Sequence, residues 1–98
     1  MPDYAGSSSA AVGSASTIIL DARRGRRLAF SISNYSALVV YLNLSDKEGA
    51  AVGYGIALYP GMTVSDSSAT GIPCWQGTIS AIEATGAATL AVWERVEG

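Results

Sequence analysis

Leu28-Ala29-Phe30-Ser31-Ile32-Ser33 and, three residues later, Ala37-Leu38-Val39-Val40-Tyr41-Leu42-Asn43-Leu44 decide the fold. The first run alternates strictly: Leu28, Phe30 and Ile32 share one face, and Ala29, Ser31 and Ser33 share the other. A repeat of two residues is the mark of a half-buried strand. The second run puts Leu38, Val40, Leu42 and Leu44 on one face and Val39, Tyr41 and Asn43 on the other. Both of its faces are partly apolar, which suits a central strand. Asn34-Tyr35-Ser36 between the two runs reads as a tight turn.

Working outward, the same grammar recurs. Thr17-Ile18-Ile19-Leu20 is short and β-branched, a strand by composition. After the polar, glycine-rich stretch 45–55 comes the short strand Ile56-Ala57-Leu58, closed by Tyr59-Pro60-Gly61. Proline followed by glycine at the two central turn positions predicts a type II turn. Met62 to Ser65 resumes as a strand. Trp75 to Ala84 holds another, with Trp75, Ile79 and Ala81 in phase. Thr89 to Val96 closes the chain, with Leu90, Val92 and Val96 on one face and Ala91, Trp93 and Arg95 on the other. After Ser16 no segment carries an apolar helical period. About seven short strands with turn signals between them predict an all-β fold, a single small sandwich of jelly-roll or immunoglobulin-like type. The expected core is Phe30, Ile32, Leu38, Val40, Leu42, Ile56, Leu58, Ile79, Leu90 and Val92.

Residues 1–16 read differently. Ala5 to Ser16 is AGSSSAAVGSAS, with Val12 its one sizeable apolar side chain. Such a stretch buries too little apolar surface to offset its ordering entropy. The expectation is a flexible N-terminal arm over 1–16, ordered only against a neighbouring subunit, and a sandwich domain over 17–98.

Composition narrows the function. The 98 residues are 49% hydrophobic and only 14% charged, against about 25% charged in an ordinary soluble domain. A net charge of −2 argues against a general nucleic-acid binder. The longest apolar run, Ala37–Leu42, has six residues, far short of the ~18–20 of a membrane helix. Met1-Pro2-Asp3-Tyr4 lacks the cationic and apolar regions of a secretory signal, so none is expected. Cys74 is the single cysteine, so no intrachain disulfide is possible, and histidine is absent. Without histidine the commonest general base and metal ligand are missing. Enzymatic activity is therefore not expected, and no cofactor or metal is assigned. Asp46 and Glu48 are the nearest carboxylate pair but lack further oxygen donors at calcium-loop spacing. Cys74 reads as a small core-facing hydrophobe.

Two features stand out as contact candidates. Arg23-Arg24-Gly25-Arg26-Arg27 holds four of the six cations. The expectation is a docking patch in which Arg23, Arg24, Arg26 and Arg27 meet carboxylates of a partner protein. The alternatives are a solvated loop braced against Asp21, Glu94 and Glu97, and a phosphate contact, for which no interleaved aromatics are present. Tyr54 and Tyr59 flank a short strand and are expected at a partner interface. With Trp75, Trp93, Tyr35 and Tyr41 they could also form a sugar-binding platform.

The order of these pieces resembles a recurrent domain in small virion proteins of tailed bacteriophages. The similarity is carried by the arginine-rich lead, RRLAFSISNYSALVVYLNLS, the glycine-rich loop and GIALYPGMTVS, and more loosely by GTISAIEATGAATLAVWE, over about Asp21 to Glu94. The resemblance implies a non-enzymatic structural protein, made in the host cytoplasm and carried on the virion. Capsid decoration (cement) on the head shell is the leading role, with the major capsid protein or another virion protein as partner. A carbohydrate- or receptor-binding module of a head fibre or tail accessory protein is the alternative. Cement proteins sit at threefold positions, so a homo-oligomer, specifically a trimer, is the corresponding expectation.

Overall fold

A computed structural model of the chain describes residues 4–97, apart from Gly25, Thr70 and Ala87. Eight strands follow one another: β1 (Tyr4–Val12), β2 (Thr17–Leu20), β3 (Arg27–Asn34), β4 (Val40–Leu44), β5 (Ile56–Leu58), β6 (Thr63–Ser67), β7 (Ile79–Ile82) and β8 (Ala88–Val96). No helix occurs among the described residues. The strands form two four-stranded sheets, ordered β1-β8-β3-β6 and β2-β7-β4-β5, with every pairing antiparallel. Strand 1 pairs with 8, 2 with 7, 3 with 6 and 4 with 5. The chain is thus one long antiparallel ribbon rolled up on itself, and the β8–β3 and β7–β4 pairings complete the roll. This strand order is that of a jelly roll, which settles the choice between the two sandwich types expected.

The alternation of β3, β4 and β8 places the core. Phe30, Ile32, Val40, Leu42, Leu58, Ile79, Leu90 and Val92 are buried between the sheets, joined by Val12, Leu20, Ala81 and Ala88. Two expected core residues differ. Ile56 is 38% exposed, because β5 is a three-residue edge strand and Ile56 lies at its open end. Leu38 is only half-buried, because the chain bends over 36–38 and β4 starts at Val40. The bend is built on Asn34, whose buried amide donates to the Leu38 and Leu58 carbonyls and accepts from the Ser36 backbone N–H. The type II turn forms as read: Met62 N donates to Tyr59 O at 3.0 Å, and Gly61 has φ +83°.

The largest departure from expectation is the N-terminal segment. Tyr4–Val12 is strand β1, in unbroken register with β8 from Tyr4↔Val96 to Val12↔Ala88. Poor apolar content predicts a loose arm, but an edge strand needs only one neighbour. The β8 backbone satisfies one side of β1 along nine residues, and Val12, 2% exposed, anchors its end in the core. Residues 1–3 lie outside the described residues.

Candidate functional site

The arginine stretch closes one end of the sandwich. Between Arg27 and Ala29 the β3–β8 register slips by one residue, a bulge that puts Arg27 opposite Val96 and Ala29 opposite Arg95. A bulge re-aims side chains, and here it turns Arg27 inward in place of Leu28. Arg27 is 0% exposed. Its guanidinium donates from Nε to Glu94 Oε2 at 2.8 Å, from Nη1 to the Trp75 and Gly77 carbonyls at 2.9 and 3.0 Å, and from Nη2 to the Asp21 carbonyl. Its Cζ also stands 5.9 Å from the centre of the Phe30 ring. Arg23 grips the same carboxylate with two donors, Nε to Oε2 at 3.0 Å and Nη2 to Oε1 at 2.7 Å.

Burial by itself would raise the Glu94 carboxyl. The hydrogen bonds and positive charges of Arg23 and Arg27 outweigh burial and hold its pKa below the ordinary glutamate value. Arg26 donates to the Glu97 carbonyl from Nε and Nη2, at 3.2 and 2.9 Å. Arg24 is exposed at the turn, with φ +53°.

For two of the four arginines these positions depart from the expectation of a docking patch, while Arg24 and Arg26 are exposed. Arg23 and Arg27 meet a carboxylate of their own chain, and Arg27 is closed off from any partner. The bracing alternative describes the arrangement, with the qualification that Asp21 and Glu97 accept through backbone carbonyls. Cys74 is buried and lies beside this node, with its Sγ 3.4 Å from the Arg27 carbonyl.

Tyr54 and Tyr59 are 75% and 54% exposed. They sit at opposite ends of β5, so the structure does not bring them onto one platform. Tyr59 shares its end of the sandwich with exposed Tyr35 and Met62, since Asn34 N donates to Met62 O and Gly61 N to Asn34 O. Trp75 is half-buried against the core and donates its indole N–H to Thr78 O at 3.1 Å.

The two outer faces of the sandwich are unlike. On the β2-β7-β4-β5 sheet the loop after β4 folds back over the strands. Asp46 Oδ1 accepts from Thr78 N at 2.8 Å, Ala50 N donates to Ser16 Oγ at 2.9 Å, and Asn43 Nδ2 donates to the Glu48 and Gly49 carbonyls. Ser80 pairs with Asn43 and Ile18 on the outward side, yet it is 3% exposed beneath that loop. A Cβ at Gly77 would meet the Trp75 ring at 2.4 Å and both Asp46 carboxylate oxygens at 2.7 Å, so those side chains would have to shift.

The outer face of the β1-β8-β3-β6 sheet has no such cover among the described residues. Its central row across the strands is Ser7–Trp93–Ser31–Ser65, and the next is Ser9–Ala91–Ser33–Thr63. Trp93 is half-buried among these small side chains, with a groove on either side and Arg95 in the adjoining row, Ala5–Arg95–Ala29–Ser67. One groove is lined by Ala29, Ser31, Ser65 and Ser67, the other by Ser7, Ser33, Tyr35 and Ala91. The alternation of 89–96 already placed Trp93 opposite Leu90 and Val92. What sequence could not supply was the Ser/Ala floor that β1 and β6 lay beside it.

Among the described residues no three cysteine, aspartate or glutamate side chains converge as a metal site would require. Compared with protein-family models, curated proteins and solved structures, the chain matches none of them.

Proposed function

We propose that this chain is a non-enzymatic structural subunit of a virion, a decoration (cement) protein that lies against the head shell of a tailed phage through the outer face of its β1-β8-β3-β6 sheet. The observation that carries the reading is Trp93, half-buried among Ser, Ala and Thr side chains on a face that no loop covers among the described residues, with Arg95 in the adjoining row. Interface centres are enriched in aromatic anchors and depleted in charge. Small side chains around such an anchor let a partner's backbone come close. Strands of nine, nine, eight and five residues, at ~4.8 Å spacing and ~3.4 Å per residue, give a face of about 500 Å². That is below the ~800 Å² per partner of a standard interface, and many copies on one lattice suit a contact of this size. The jelly-roll strand order is in keeping with the virion resemblance of residues 21–94, although jelly rolls also serve as lectin domains.

The lectin-like alternative draws on the same side chain. An indole flanked by serine hydroxyls is suited to stacking on a sugar ring.

Binding of wild-type and Trp93→Ala chains to heads that lack the protein tests the proposal. Truncating an anchor of this kind costs about 2 kcal/mol or more, so a loss of about 30-fold in affinity is expected. The ring lies outside the core, so the unfolding midpoint is expected to stay near wild type. Undiminished decoration by Trp93→Ala would overturn the reading. Saturable quenching of Trp93 fluorescence by host polysaccharide, without binding to heads, would move it to the sugar-binding alternative.

A further inference from the structure

We infer that the chain self-associates through the free edge of β1, which pairs antiparallel with β1 of a second copy across a two-fold axis. The inference rests on how the four sheet edges differ. Edge strands are ordinarily protected by shortness, proline, charge or a bulge, because their unpaired N–H and C=O groups are a template for another chain. Three edges here carry such protection. β5 has three residues and runs into Tyr59-Pro60. β2 has four residues, contains a register shift between Ile18 and Leu20, and leads directly to Asp21. β6 has five residues and carries Asp66.

Within β1 itself none of them occurs, and Pro2 and Asp3 precede it in the sequence. The strand is nine residues long, its register against β8 is unbroken, and Tyr4 to Val12 holds neither proline nor charge. Residues 5–9 and Ala11 are exposed. Among the described residues, no backbone hydrogen bond outside the β8 ladder involves residues 5–11.

The edge is also complementary to itself. An antiparallel pair centred on Ser8 sets Tyr4 opposite Val12 and Ser7 opposite Ser9, over the full length of the strand. Even-numbered residues face even-numbered ones, so the core-facing side of both copies stays on one side. The two sheets then become one, ordered β6-β3-β8-β1-β1-β8-β3-β6. No like charges are opposed across the axis, and Gly6, Ala10 and the serines present no bulk to keep the backbones apart. Strand addition of this kind is a recurrent recognition mode whose affinity comes from main-chain hydrogen bonds. Edge pairing buries less than the ~1,200 Å² of a standard interface, so the expected dimer is weak, with a dissociation constant on the order of ten micromolar. The inference does not depend on the decoration role, because it concerns free chains in solution.

The test is the mass of the full chain in solution over about 1–500 µM, a range that brackets that constant. Sedimentation or light scattering is expected to move from the 10.0 kDa monomer toward twice that mass. Ser7 and Ser9 point away from the core and are exposed, so Ser7→Lys/Ser9→Lys leaves the fold intact, as circular dichroism would verify. Across the axis the four ammonium groups oppose one another, and dimerisation is expected to weaken at least about tenfold. Ser7→Glu/Ser9→Glu is expected to behave alike, and an equimolar mixture of the two variants is expected to recover a dimer with one of each. A wild-type monomer at the highest concentration, a trimer, or dimerisation of Ser7→Lys/Ser9→Lys at wild-type strength would overturn the inference.

Discussion

Replacing Glu94 by glutamine removes one negative charge and turns one of two accepting oxygens into an NH2 donor that faces a guanidinium N–H. The side chain keeps its shape and an oxygen able to accept a hydrogen bond. Arg27, however, loses its counter-charge in a place with no solvent exposure. Its remaining acceptors, the carbonyls of Trp75, Gly77 and Asp21, are neutral. Stripping one partner from a buried ion pair costs about 3–5 kcal/mol. Three retained carbonyl bonds put Glu94→Gln at the lower end, near 3 kcal/mol by the same rule. That is a large share of the roughly 5–15 kcal/mol that holds a domain of this size together. Arg23→Ala is the internal comparison. Its side chain is 31% exposed, and losing a solvent-screened partner is expected to cost about 1 kcal/mol or less.

Urea unfolding at neutral pH, with the slope checked for constancy, measures both changes. Acidification supplies a second readout. The folded carboxyl is held below its ordinary value of 4.5. Above that value both folded and unfolded chains are ionised at Glu94, and its full contribution is present. As pH falls through 4.5 the unfolded chain takes up the proton first, so wild-type stability declines; the contribution is gone below the folded value. Glu94→Gln has no such proton, and the gap between the two proteins is expected to close. A gap under about 0.5 kcal/mol at neutral pH would refute the reasoning, as would one that is undiminished at about pH 2.5.

Phe30→Ala is expected to cost about 3–5 kcal/mol in the same assay, since the ring is buried between the sheets; under ~0.5 kcal/mol would mean the ring is not in the core. Gly55→Ala is expected to destabilise clearly more than Gly53→Ala. Both glycines have positive φ, but a Cβ at Gly55 runs into the Leu42 carbonyl oxygen, whereas at Gly53 it meets nothing within 4 Å. Equal melting points for the two variants would contradict that packing. Deleting residues 1–12 uncovers one edge of β8 and removes the buried Val12, so a loss of at least about 2 kcal/mol is expected. Unchanged stability would return the segment to the role of a loose arm.

The parts of this fold that could be read in advance are those where side chains alternate strongly. Phe30 and Ile32, Val40 and Leu42, and Leu90 and Val92 are each spaced by two, and each pair is buried as read. β1 was hidden because its partners determine it. Ser7 and Ser9 have no intrinsic preference for extended structure, and the strand exists because β8 offers a nine-residue backbone template. The arginine node was hidden for a different reason. Strict alternation puts Leu28 inside, and only the one-residue slip against β8 exchanges it for Arg27. Nothing local in the sequence marks that slip. Trp93 was legible as an outward residue, but the uncovered surroundings that make it a candidate contact depend on which strands lie beside it. The cover on the other sheet depends on single bonds from Asp46 and Ser16, which no periodicity reports.

The Arg27 node has a kinetic consequence. Its acceptors on Gly77 and Glu94 lie 50 and 67 residues along the chain. Segments so remote meet late, because loop closure must precede any reward from their contact. A guanidinium waiting for acceptors from three separate stretches is satisfied only on the native side of the folding barrier. Interactions absent from the transition state leave the rate of folding alone and slow the rate of unfolding. Arg27 is therefore a catch: it sets the lifetime of the folded molecule and leaves the speed of its formation to the strands. In a chevron plot, weakening the node through Glu94→Gln is expected to raise the unfolding limb and leave the folding limb in place.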